Sequence, residues 1–167
     1  MKNLIGLSIV ALGAWWLFVG GTPLTEAGVR EYYLAEAEAT LHRAPDARCN
    51  LLDAKFKGHS AGKLAGRPVE MDVDRDTACK AWRDMFGTFE AVGTQMGGVL
   101  ELRYEYEIES IAVDAAGKSA QVEMSYRFAI AGNWMLIKGS RSDRLMRRFG
   151  RTRLAESDEV SVVTGGL

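Results

Sequence analysis

The chain has 167 residues, enough for one domain of ordinary size with a core of its own. Its 21 basic residues against 22 acidic ones leave a formal charge of -1, which excludes the basic excess of a dedicated nucleic-acid binder. Two cysteines are too few for a disulfide-built scaffold and enough for one staple.

Residues 4–21 are apolar apart from Ser8 and carry no charge. A bilayer core takes about 20 apolar residues, so this segment is long enough to span one. Trp15 and Trp16 suit a membrane–water interface, and Gly20-Gly21-Thr22 is a poor cleavage site. Residues 1–24 therefore read as a membrane anchor and tether, and residues 25–167 as one domain. The single Lys2 on the short side places that domain in the periplasm of a bacterial cell, as a single-pass inner-membrane protein. The alternative is a cleaved signal peptide and a secreted or periplasmic product.

Thr22-Pro23 or Thr25-Glu26 starts a helix that runs to about Ala44, where Pro45 ends it. Val29, Tyr32, Tyr33, Ala37 and Leu41 fall on its apolar stripe. Asp46 caps a short second helix whose Cys49, Leu52 and, just beyond it, Phe56 face together. From Lys57 to Pro68 the chain is glycine-rich and basic and predicts a loop with at most a short edge strand. The run from Gly58 to Lys63 is one residue short of a phosphate loop, and Leu64 stands where that loop needs a hydroxyl. Asp74 or Asp76 caps a third helix, with Ala78, Trp82, Met85, Phe86, Phe89, Val92 and Met96 at helical spacing. Gly97-Gly98 stops it.

Two clean alternations follow. Leu100, Leu102, Tyr104, Tyr106 and Ile108 oppose Glu101, Arg103, Glu105, Glu107 and Glu109. Val122, Met124, Tyr126, Phe128 and Ile130 oppose Gln121, Glu123, Ser125 and Arg127. Period two of this kind marks strands with one packed face and one wet face. Asp114 to Lys118, with Gly117, joins them. Trp134 to Ile137 reads as a packed loop or bent strand. Lys138 to Arg148 and Arg151 to Val163 form a last hairpin about Phe149-Gly150. The predicted fold class is α+β: an N-terminal transmembrane helix, then three helices packed on a strongly curved antiparallel sheet.

This order resembles the nuclear transport factor 2-like superfamily, whose members form an α+β cone. The run from Cys49 to Phe56 looks like the family's passage from a helix end into its first strand. The run from Ser140 to Arg151 is similar to the penultimate hairpin of many periplasmic members. The resemblance implies a cone pocket and a choice among isomerases, dehydratases, non-catalytic binding domains and secretion-system scaffolds. The isomerase-like members keep a carboxylate base shortly after the position of Asp53, where this chain has Gly58-His59.

The candidate catalytic residues are His59, Asp53, Tyr32 and Tyr33. Tyr104, Tyr106, Met124, Tyr126, Phe128, Trp82 and Phe86 suit a pocket for a small apolar ligand, or an ordinary core beneath the long helix. Cys49 and Cys79 are expected to form a disulfide in an oxidising compartment. Arg141, Arg144, Arg147, Arg148, Arg151 and Arg153 suit an anionic partner, or pair with the glutamates of the first ladder. His42 and His59 form no metal set, and no cofactor is expected. The reading is a membrane-anchored periplasmic binding or assembly module without catalytic activity, with an envelope protein or a second copy as partner. A ligand carrier or isomerase-like enzyme and a secretion-complex scaffold are the alternatives.

Overall fold

The computed structural model describes residues 22–64, 66–95, 97–98, 100–132 and 134–165. Thr25 starts the first helix by accepting the Gly28 amide on its hydroxyl at 3.2 Å. This helix, α1 (Glu26–Leu41), buries Val29, Tyr32, Tyr33, Glu36, Ala39 and Thr40, a stripe repeating every three or four residues. It stops at His42, short of the predicted Ala44, because Arg43 turns left-handed (φ 51) ahead of Pro45. Pro45 then takes the first position of α2 (Pro45–Leu51). Ala44 is the residue before that helix, so Asp46 does not cap it; it sits in the first turn and pairs with Arg83 at 3.0 Å.

The predicted loop from Lys57 to Pro68 is instead a hairpin. Strands β1 (Leu52–Leu64) and β2 (Arg67–Asp74) turn at Gly66, whose φ is 80. Asp74 Oδ1 accepts the Thr77 amide at 2.9 Å and so starts α3 (Arg75–Gln95). Cys49 of α2 and Cys79 of α3 are joined by a disulfide with Cα atoms 5.4 Å apart.

Strands β3 (Leu102–Val113) and β4 (Ser119–Ile130) pair with Tyr104 opposite Phe128 and Tyr106 opposite Tyr126. Their turn is held by Asp114, whose carboxylate accepts the amides of Ala116, Lys118 and Ser119. Strands β5 (Met135–Arg148) and β6 (Arg151–Gly165) turn through Phe149 and Gly150, both at positive φ (50 and 72). That is the pair of conformations a two-residue hairpin loop uses to match strand twist.

The strand order is β2-β1-β6-β5-β4-β3. All neighbours are antiparallel except β1 and β6, which run parallel from Lys57 beside Glu156 to Leu64 beside Val163. The expected fold class is corrected on two points. The sheet is mixed, because β6 is hydrogen-bonded between β5 and the distant β1. The transmembrane helix expected over residues 4–21 lies outside the described residues, and no helix among the described residues is long and apolar enough to cross a membrane. The architecture is three helices on a curved six-stranded sheet, cone-like. Tyr33, Leu52, Met124 and Leu145 are fully buried between the layers.

Candidate functional site

The concave face encloses a cavity of about 220 Å³. Alternation along the sheet sends Tyr104 from β3, Tyr126 and Phe128 from β4, Ile137 and Arg141 from β5, and Glu159, Ser161 and Val163 from β6 to its wall. The helices close it with Thr40, Arg48, Trp82 and Met85.

Beneath this wall lies a buried charge network. Arg141 donates from Nη1 and Nη2 to the two carboxylate oxygens of Glu36 at 2.9 and 2.8 Å. Arg48 adds a third bond to Glu36 at 2.9 Å and lays its guanidinium 4.3 Å from the centre of the Trp82 ring. Asp143 Oδ2 accepts from the Tyr33 hydroxyl at 2.8 Å and lies 2.9 Å from Arg141 Nη2. Burial alone would raise the Glu36 carboxyl, yet Arg141 and Arg48 outweigh it and hold it down to about 2. Asp143 goes the other way: burial raises it, and Arg141 compensates in part. Burial, followed by the charge of Asp143, pushes the Tyr33 hydroxyl up, so it stays a donor.

A second polar pair stands at the cavity wall. The Tyr126 hydroxyl donates to Glu159 Oε1 at 2.5 Å. Burial, then the charge of Glu159, raises that hydroxyl as well. Tyr104 packs 6.2 Å from both Tyr126 and Phe128, ring centre to ring centre, giving a continuous aromatic wall.

The structure disperses the candidate catalytic residues. Tyr32 and Tyr33 are buried against the sheet. Asp53 is buried at the start of β1 and pairs with Arg148 at 3.3 Å. His59 is in register with Asp72 and Asp158, one position away from the partner of Glu159, so it faces the convex side. There its Nδ1 meets Asp72 at 2.8 Å, and that hydrogen bond raises it above the usual histidine value. None of these four residues is at the cavity wall. Of the pocket candidates, Tyr104, Tyr126, Phe128 and Trp82 line the cavity. Met124 is buried with its sulfur 3.4 Å from Arg141, Tyr106 packs against Tyr33, and Phe86 packs toward Phe89.

The six arginines are also divided. Arg141 is buried at the cavity, and Arg144 pairs with Glu156 at 3.0 Å on the outer face. Arg147 bonds the hydroxyls of Thr22 and Thr152, Arg148 meets Asp53, and Arg153 donates to the Leu52 carbonyl. Arg151 is exposed at the hairpin. Among the described residues no group of His, Cys, Asp and Glu is placed to hold a metal ion.

Sequence reasoning missed Glu36, Arg48, Asp143 and Glu159. The stripe read from the sequence leaves Glu36 off it and puts Leu41 on it; α1 buries Glu36, one turn after Tyr32 and Tyr33, and leaves Leu41 exposed.

No protein-family model and no curated protein matches this chain. Solved structures do. A conserved protein from Planctomyces limnophilus aligns with a TM-score of 0.63 at 14% identity, over 83% of this chain and 97% of that one. A Novosphingobium aromaticivorans protein named for scytalone dehydratase gives 0.60 at 12% identity, over 84% and 87%. An NTF2-like protein of unknown function from Pseudomonas putida gives 0.58 at 12% identity, over 81% and 84%. Likeness at these identities is a likeness of fold, and the fold of this chain is the NTF2-like cone.

Proposed function

We propose that this chain is a small-molecule-binding module of the NTF2-like fold, acting without catalysis. One observation carries the reading: the cone holds a cavity of about 220 Å³ with an apolar, aromatic wall and a few fixed polar groups. Ligand sites have that composition, and a cavity of about 220 Å³, below the usual range of about 300–1,000 Å³, takes only a small ligand. The dispersal of His59, Asp53, Tyr32 and Tyr33 away from the wall supports binding over chemistry. The Cys49–Cys79 disulfide supports residence in an oxidising compartment.

Thermal unfolding of the full chain against a library of small metabolites tests the proposal. A ligand at 100 times its Kd stabilises by about 2.7 kcal/mol, so a true ligand raises Tm in a concentration-dependent way. Met85→Trp, which places bulk at the cavity wall, removes that rise. A library without any such ligand, or a rise indifferent to Met85→Trp, overturns the reading.

A further inference from the structure

The charges around the cavity do not cancel. Arg48 and Arg141 stand against Glu36 and Asp143, two cations against two carboxylates bound to each other. Asp143 Oδ2 receives both the Tyr33 hydroxyl and an Arg141 Nη2 contact, the pattern of an ionised oxygen. Glu159 is outside that balance. It lines the cavity half-buried, is fixed through Oε1 by the Tyr126 hydroxyl, and makes no ion pair among the described residues. Arg141 lies directly opposite it on β5, yet that guanidinium is turned to Glu36 and Asp143. The Nε atoms of Arg48 and Arg141 lack hydrogen-bond partners but are sealed from the cavity space, so they offer nothing to an anionic ligand.

The wall beside Glu159 is aromatic: Trp82, Tyr104, Tyr126 and Phe128. Aromatic faces attract cations, most strongly away from water. The protein itself already sets a cation on this wall, with Arg48 over Trp82.

Resting on the binding reading above, we infer that the cone takes a small organic amine, its ammonium group on Glu159 and its apolar body along Tyr104, Tyr126 and Phe128. The carboxylate replaces part of the amine's lost hydration, and Tyr126 holds the accepting oxygen in place. The ligand's charge then compensates the one carboxylate that the fold leaves unpaired at the wall.

The test compares phenethylamine, 2-phenylethanol and phenylacetate by calorimetric titration of the full chain. The three share a ring and differ in charge. The amine is expected to bind about tenfold or more tighter than the alcohol, with phenylacetate weakest. Glu159→Gln is expected to bring the amine down to the level of the alcohol and leave the alcohol unchanged. Retained binding of 2-phenylethanol by Glu159→Gln shows that this variant is folded. Equal binding of amine and alcohol, tighter binding of phenylacetate, or an amine preference that survives Glu159→Gln overturns the amine assignment and leaves the cavity reading standing. No binding of the amine to the parent chain overturns the amine assignment, and binding that survives Met85→Trp overturns the cavity reading as well.

Discussion

Tyr126 reaches Glu159 across a whole intervening strand. They lie on β4 and β6, with β5 between them, and the position they cross is Gly139. A β-carbon there would sit 2.8 Å from Tyr126 Cε1 and 2.9 Å from Cζ. The absence of a side chain at 139 is therefore what lets the ring lie flat over β5 and deliver its hydroxyl to the carboxylate. Gly139→Ala strikes the Val160 carbonyl at 2.7 Å as well as forcing that ring aside, and is expected to cost about 1–3 kcal/mol in urea unfolding. Tyr126→Phe loses only the hydrogen bond, about 0.5–1.5 kcal/mol. A Gly139→Ala variant as stable as the parent would show that both the ring and the Val160 carbonyl can give way.

Glu36 is the hinge of the buried network, since three N–H bonds from two arginines converge on it. Glu36→Gln leaves two guanidiniums short of their counter-charge and is expected to cost about 3–5 kcal/mol at neutral pH.

The same residue sets an acid limit. Its carboxyl lies at about 2 in the fold against an ordinary 4.5, so its contribution is fully present above 4.5 and is lost as pH falls toward 2. Asp143 is raised instead, so the folded chain holds that proton more firmly than the unfolded one and stability declines as pH rises through its titration. Stability measured from pH 5 downward is expected to fall in the parent and to fall less steeply in Glu36→Gln. Asp143→Asn, lacking the opposing group, is expected to give the steeper curve.

The Cys49–Cys79 disulfide closes a loop across 30 positions and ties α2 to α3. Replacing both cysteines with serine, or unfolding in reductant, is expected to lower stability by about 2–5 kcal/mol. Thiol titration of the unreduced, unfolded chain should find no free thiol.

His59 gives a prediction of opposite kind. It sits on the convex face, raised chiefly by its hydrogen bond to Asp72. Asp72→Asn should lower its titration midpoint, read by NMR, and His59→Ala should leave ligand affinity in the cone unchanged.

Local patterns were legible wherever the answer depended on neighbours in sequence. The alternations from Leu102 and from Val122 carry the register of β3 and β4, and Asp114 and Gly117 mark the turn between them. Asp74 marks the start of α3. What stayed hidden depends on partners far along the chain. The segment from Lys57 to Lys63, with its glycines and charges, looks like a loop until β6 supplies a parallel partner about a hundred residues away. At Gly62 a side chain would strike the Ser161 carbonyl, so the glycine that suggested a loop is a condition of the strand. Glu36, Arg141 and Asp143 have the composition of a wet surface. Only the fold, closing across 105 positions from Glu36 to Arg141, turns them inward. Glu159 hides in the same way, inside the acidic run from Glu156 to Glu159.

The position of β6 also governs the order in which the molecule can assemble. As the polypeptide leaves the ribosome, β1 and β2 can pair early, and so can β3, β4 and β5, but no sheet hydrogen bonds yet join the two groups. Each presents a bare edge, β1 on one side and β5 on the other, and both wait for the same final strand. Only when residues 151–165 are available does one insertion satisfy both edges and complete the cone. Pairings of this sequence separation form late and slowly, so the interval before β6 arrives is when the nascent chain is open to joining another copy of itself.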